Sequence, residues 1–101
     1  MTKAEFEAAV ASVPIDAEIY FQTPGHKPLQ LVNCHKELPN TLVLGYSPLG
    51  LWAEFEYLRE LAILTPYYHA PLDTELIVRI EGKEYHPTRV EVEDGKILLC
   101  P

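Results

Sequence analysis

The start of the chain has the hydrophobic spacing of an amphipathic helix. Apolar residues recur there three and four positions apart, at Phe6, Ala9, Val10 and Val13. Thr2 and Glu5 form a Thr-x-x-Glu capping box, in which the hydroxyl and the carboxylate satisfy otherwise unpaired amides of a first helical turn. The pattern predicts a first helix that ends before Pro14, because the residue preceding a proline is pushed out of the helical region.

Alternation of apolar and polar residues predicts strands after this helix. In the first half of the chain these are residues 17–23, 29–33 and 41–45, with turns at Pro24-Gly25 and Pro39-Asn40. In the second half they are residues 76–80, 88–93 and 96–100, with a turn at residues 81–83. Asp94-Gly95 favours the two-residue hairpin turn whose twist matches the flanking strands, so we expect residues 96–100 to pair back antiparallel.

A second helix is predicted between the two sets of strands. Ser47 and Pro48 have the residue types of a helix cap and a first helical position, and the helix should run to about residue 64. Its apolar residues form a main stripe and two flanks, with Trp52 and Ile63 on one flank. A helix that is apolar nearly all round is buried between layers or covered by a partner. We therefore expect either that both sets of strands enclose it or that a homodimer forms over Trp52 and Ile63.

The two halves of the chain share a pattern. Pro-x-Asp-x-Glu occurs at residues 14–18 and again at residues 71–75, an offset of 57 residues (71 − 14), and Ala-Glu-Phe-Glu occurs at residues 4–7 and 53–56. The repetition predicts an α+β domain of order α-β-β-β-α-β-β-β with antiparallel sheet, made of units of about residues 2–46 and 47–101. A unit of roughly fifty residues would bury too little surface to stand alone, so both should share one core within a single domain, residues 1–101.

Composition and charge narrow the class of protein. Apolar residues make up 48% of the 101 positions and charged residues 23%, which indicates a globular chain and not a disordered or fibrous one. Eight basic residues against 15 acidic ones give a net charge of −7, which disfavours direct nucleic-acid binding. The longest uncharged run, residues 38–53, contains prolines and glycines and is no membrane helix. No leader pattern opens the sequence, so we expect a cytoplasmic protein without a membrane association.

Candidate chemistry is sparse. Cys34 and Cys100 are too few for a disulfide framework, and neither they nor the four histidines have the spacing of a zinc site. The carboxylate pairs at residues 16/18 and 73/75 lie where strands begin after a proline, where exposed acids are ordinary. No glycine-rich phosphate loop or nucleophile motif is present. We therefore predict no catalytic residue, metal or cofactor, and rank a small enzyme third among the functions considered.

A resemblance to a known group of proteins follows from several of these features together. They are the early helix, the Pro-x-Asp-x-Glu step into a strand, the glycine turn and the closing Asp-Gly-Lys-Ile-Leu-Leu hairpin of residues 94–99. In these features the chain resembles many short phage and prophage open reading frames of unassigned role. The resemblance implies a mobile genetic element as the source. Small acidic proteins of that origin often inhibit a larger protein, as anti-defence and immunity proteins do.

Two stretches are candidate partner-binding surfaces. Tyr67, Tyr68 and His69 lie between prolines, where tyrosines offer large contact area, although they could instead cover the core edge. Glu91, Glu93 and Asp94 form an acidic pole with Glu81 and Glu84, which suits a partner with a basic surface or is simply solvated. The leading hypothesis is a non-enzymatic binding protein that inhibits or occupies a larger protein. The alternative is a structural or assembly component that self-associates.

Overall fold

A computed structural model describes residues 1–47 and 53–101 of the chain. Its helices and strands follow in the order α1 (Lys3–Ala9), β1 (Glu18–Phe21), β2 (Leu29–Gln30), β3 (Asn33–Glu37), β4 (Thr41–Gly45), α2 (Leu58–Ile63), α3 (Thr65–Tyr68), β5 (Glu75–Ile80), β6 (Lys83–Tyr85), β7 (Arg89–Glu93) and β8 (Lys96–Cys100). The mixed α+β class is confirmed. No helix in these two described ranges is long and apolar enough to cross a membrane.

The strands form two four-stranded sheets, in the orders β2-β1-β8-β7 and β3-β4-β5-β6. The four hairpin pairs, β1–β2, β3–β4, β5–β6 and β7–β8, are antiparallel, whereas the central pairs, β1 with β8 and β4 with β5, are parallel. The expectation of a purely antiparallel sheet is therefore wrong. Parallel pairs arise because each sheet combines the first hairpin of one half of the chain with the second hairpin of the other half.

The two halves repeat this pairing in the same register. Glu18 of β1 faces Lys96 of β8, and at the equivalent place in the other sheet Glu75 of β5 faces Thr41 of β4. The helices cross over in the same way. The Lys3 amide at the start of α1 donates to the Thr74 carbonyl (2.8 Å), and the Leu58 amide at the start of α2 donates to the Ala17 carbonyl (2.9 Å). Each helix therefore docks beside the first strand of the opposite half.

The predicted strand count is wrong, because the described residues of each half form four strands and not three. The predicted strand at residues 29–33 is divided between the two sheets. The Leu31 amide donates to the Ile19 carbonyl in one sheet, whereas the amide of the next residue, Val32, donates to the Gly45 carbonyl in the other sheet. The chain crosses between sheets at this point, so β2 ends and β3 begins. Strand β6 has three residues, too short for a pattern of alternation to reveal it.

The predicted helix over residues 47–64 is also wrong. Residues 48–52, which include Trp52, lie outside the described part, and residues 53–57 are not helical. The amides of Glu54 and Phe55 both donate to the Val32 carbonyl, at 2.8 and 3.0 Å, which holds this segment against β3. Only α2 and α3 follow, so no long central helix is present in the described chain. The Ala-Glu-Phe-Glu of residues 53–56 is consequently no counterpart of the same letters in α1.

Local signals at the two ends of the chain are confirmed. Thr2 and Glu5 form the capping box, with the Glu5 amide 3.2 Å from the Thr2 hydroxyl and the Thr2 amide 2.9 Å from the Glu5 carboxylate. Asp94 and Gly95 both have positive φ, 49° and 73°, as a type I′ hairpin turn requires. The hairpin of β7 and β8 therefore has the antiparallel pairing expected from the sequence.

One hydrophobic core lies between the sheets and the helices. Its largest fully buried side chains come from both halves of the chain: Phe6, Ile19, Phe21, Leu31, Leu42, Leu44, Phe55, Leu61, Leu76, Ile97 and Leu99. Burying a side chain of this kind stabilises a fold by about 1.5–3 kcal/mol. Because both halves contribute, the stabilisation belongs to the whole domain.

Candidate functional site

Strand β7 forms one edge of its sheet, with β8 as its only strand neighbour in the described chain. Val90 and Val92 lie opposite Leu99 and Ile97, so their side chains are on the inner face. Even so, Val92 is 50% exposed. The alternate residues of β7 lie on the outer face and are exposed. The strand therefore presents both its backbone edge and an apolar side chain to solvent.

The carboxylates of this hairpin are mostly unpaired. Arg89 contacts Glu91 (Nε to Oε1, 3.2 Å), two positions further along the same strand. Glu93 and Asp94 have no cationic group within 4.0 Å among the described residues. Free carboxylates beside an open strand edge favour the approach of a basic segment.

The predicted acidic pole is divided between the two sheets. Glu81 and Glu84 lie at the β5–β6 hairpin, in the sheet that does not contain β7. Glu84 is bound by Arg79 at 2.7 Å, and Glu81 accepts a hydrogen bond from the Tyr46 hydroxyl at 3.0 Å. Their charges are thus engaged locally, and the acidic surface of β7 and β8 is confined to Glu91, Glu93 and Asp94.

The edge of the other sheet that is equivalent to β7 is covered by the chain itself. Strand β3 holds that position, and residues 53–57 run along its outer edge. The Val32 carbonyl accepts from two amides of this segment, and the Cys34 amide donates to the Glu54 carboxylate (2.7 Å). Helix α3 packs against β3 as well. Of the two equivalent edges, only that of β7 is left open among the described residues.

The tyrosine stretch is divided by burial. Tyr67 is 5% exposed, its ring meets Phe6 edge-on at 6.4 Å, and its hydroxyl donates to Glu7 (3.2 Å). Burial, together with the charge of Glu7, raises the pKa of the Tyr67 hydroxyl above its usual range. Tyr68 is 66% exposed and stacks edge-on with the exposed His69 at 5.2 Å. Tyr67 thus covers the core edge, and the surface of this stretch consists of Tyr68 and His69.

The remaining candidates for a partner surface lie at the second helix. Ile63 is 76% exposed on α2. Trp52, predicted to share a face with Ile63, falls outside the described residues. The described structure therefore offers Ile63 alone from the predicted dimer surface.

Groups with nucleophilic or metal-binding chemistry are scattered. Cys34 and Cys100 are free, buried thiols. Burial raises the pKa of the Cys34 thiol to about 12 and also raises that of Cys100. A thiol with so high a pKa is a poor nucleophile near neutral pH. Within residues 1–47 and 53–101 no three His, Cys, Asp or Glu side chains are grouped as metal ligands.

One charged cluster was missed by reasoning from the sequence. Arg79 of β5 binds Glu37 of β3 through two hydrogen bonds (2.6 and 2.8 Å) and also contacts Glu84 of β6. His35 lies 3.0 Å from Glu37. The Arg79 guanidinium, and after it His35, lower the pKa of the Glu37 carboxyl to about 2. The cluster links the two edge strands of this sheet, β3 and β6, through Arg79 of β5.

Comparison with known protein families, curated proteins and solved structures finds no match for this chain.

Proposed function

We propose that the protein is a non-enzymatic binding protein that engages a larger protein through the β7–β8 hairpin, inhibiting or occupying it as phage-derived inhibitors do. The observation that carries the proposal is the open edge of β7, flanked by Glu91, Glu93 and Asp94. An exposed edge strand invites pairing with another chain unless the fold protects it. The same fold protects the equivalent edge, β3, with residues 53–57.

Charge complementarity supports a partner with a basic surface. The chain carries −7 overall, and the second half, residues 47–101, holds ten acidic residues against five basic ones. Opposite charge on a partner accelerates association by steering the encounter, and salt weakens this steering. Tyr68 and His69 offer a second exposed contact at α3, where a stacked aromatic pair suits a protein interface.

The test begins with capture of the partner by tagged protein and continues with its binding kinetics. We expect Glu91→Gln/Glu93→Gln to lower the association rate constant several-fold at low salt. The difference from wild type should shrink as the Debye length falls from about 10 Å at 0.1 M to about 3 Å at 1 M salt. Asp16→Asn/Glu56→Gln removes the same number of charges from exposed sites outside the hairpin. Equal rates for both double variants would contradict the proposed surface.

Self-association is a second candidate, favoured by the 76% exposure of Ile63. An isoleucine so exposed on a short helix is a contact that a second copy could cover. Light scattering of wild type and Ile63→Ser across a range of concentrations tests this. A dimer that is lost in Ile63→Ser would support the assembly role, and a monomer at all concentrations would contradict it.

A further inference from the structure

The register of the two sheets identifies which groups of β7 are equivalent to the covered groups of β3. The Val32 amide donates to Gly45, and at the equivalent place the Thr88 amide donates to Cys100, both at 2.8 Å. Two residues further along each strand, Cys34 faces Leu44 as Val90 faces Leu99. Thr88 and Val90 are thus the counterparts of Val32 and Cys34.

The turn geometry gives the same assignment independently. Glu93 and Lys96 close a two-residue turn, so they form a hydrogen-bonded pair, and such pairs alternate along an antiparallel ladder. Val92 and Val90 then belong to non-hydrogen-bonded pairs. Their amides and carbonyls point away from β8, toward the open edge.

We infer that the β7 edge binds its partner by strand addition, taking up an extended segment with basic residues on one face and apolar residues on the other. The inference rests on the proposed function and specifies its binding mode. Residues 53–57 occupy the equivalent edge at β3, where two of their amides donate to the Val32 carbonyl and the Glu54 carboxylate accepts from the Cys34 amide. At β7 an added strand would donate to the Thr88 carbonyl and accept from the Val90 amide.

The side chains of β7 define the chemistry of the added segment. On the outer face, lysine or arginine at alternate positions of the added segment would lie beside Glu91 and Glu93, and opposite charges on neighbouring strands stabilise a sheet. On the inner face the half-exposed Val92 calls for an apolar residue. A second copy of this acidic chain would bring like charges together, which disfavours self-pairing at this edge.

Amide hydrogen exchange of the whole protein tests the binding mode with a peptide of alternating lysine and valine as the probe. Strand addition should slow exchange of the Val90 and Val92 amides by about tenfold or more, while the Glu91 amide, already paired with β8, changes little. A peptide of alternating glutamate and valine is the matched control. Binding without protection of Val90 and Val92 would overturn strand addition while leaving the hairpin as a docking surface. No binding of the lysine peptide would overturn the basic strand as the occupant.

A proline variant gives an independent test. Val92→Pro removes one outward amide without touching the pairing with β8, and proline is tolerated at sheet edges where its missing amide would face solvent. We expect about tenfold weaker peptide binding, the effect of one lost hydrogen bond. Lys36→Pro is the control, because Lys36 faces Leu42 of β4 as Val92 faces Ile97 of β8.

Two further results would overturn the inference. One is unchanged affinity in a folded Val92→Pro variant. The other is protection of Val90 and Val92 that rises with protein concentration in the absence of peptide, which would identify a second copy as the occupant. If Val92→Pro fails to fold, hydrogen exchange of the wild type decides alone.

Discussion

Lys3 is the buried charge on which the position of α3 depends. It is 6% exposed, and its Nζ donates to the carbonyls of Tyr67 (2.8 Å) and Ala70 (2.9 Å) while lying 4.7 Å from the centre of the Tyr67 ring. These carbonyls are at the C-terminal end of a four-residue helix, which has few bonds of its own. Lys3→Met keeps the apolar stem and the helix propensity of the residue but removes the ammonium group that donates to both carbonyls.

The expected cost follows from those two bonds. Hydrogen bonds to charged groups contribute about 1.5–3 kcal/mol each to stability. Part of this loss is offset in the variant, because it no longer has the desolvation cost of a buried ammonium group. We therefore expect Lys3→Met to lower the free energy of unfolding by about 3 kcal/mol. For a domain of this size that corresponds to a fall in Tm of roughly 12–24 °C.

The assay is urea unfolding followed by circular dichroism, with the free energy taken from linear extrapolation. Lys27→Met is the matched control, because Lys27 is exposed in the loop between β1 and β2 and makes no ion pair within the described residues. It should stay within about 0.5 kcal/mol of wild type. A loss of less than about 0.5 kcal/mol in Lys3→Met would refute the assignment of Lys3 as the anchor of α3.

Two further predictions concern ionisation. The pKa of Glu37 in the folded state is about 2, below its ordinary value of 4.5, because Arg79 and then His35 bind the carboxylate. The ionised Glu37 carboxylate therefore stabilises the fold above pH 4.5, and this stabilisation is lost as the pH falls toward 2. Glu37→Gln should therefore flatten Tm against pH between about pH 4.5 and 2, and parallel curves for variant and wild type would contradict this. Because burial raises the pKa of Cys34 to about 12, the native thiol should react with a thiol reagent at pH 8 only through unfolding, whereas the urea-denatured chain should react at once. Native Cys34 that reacts as fast as a free thiol, measured with Cys100→Ser as background, would show that its burial is not maintained.

The parts of the fold that could be predicted from the sequence are those encoded by neighbouring residues. Thr2 and Glu5 satisfy each other's amides within one turn, and Asp94-Gly95 has the residue types that favour positive φ at both turn positions. The predicted bounds of β4 and β8, residues 41–45 and 96–100, also match the structure. Pairing between halves depends on long-range contacts that no local pattern records.

A signal for the parallel centre of one sheet was nonetheless present. Residues 42–44 and 76–78 are continuous apolar runs, and in the structure every residue of both runs is buried. Strands buried on both faces are typical of parallel pairing, whereas alternation is typical of a strand with one solvated face.

By contrast, the spacing of residues in the sequence could not show that Tyr67 is buried and Tyr68 is exposed. Adjacent residues on a helix point about 100° apart, so one side chain enters the core and the next faces solvent.

The two halves of the chain repeat the same strand pairing but differ in how their edge strands, β3 and β7, are covered. This difference is more informative about function than the repetition. Because each sheet combines hairpins from both halves, β3 and β7 are held in equivalent positions by equivalent pairings. If edge protection were needed only for folding, both edges would require it equally, since both present outward amides and carbonyls. The fold covers β3 with residues 53–57, whereas β7 carries the unpaired Glu93 and an exposed Val92 instead. Carboxylates on an open edge also discourage pairing between copies of an acidic chain while leaving the edge accessible to a basic strand. The proposed binding mode therefore assigns two effects to the same side chains, weaker pairing between copies at this edge and selection of a basic strand.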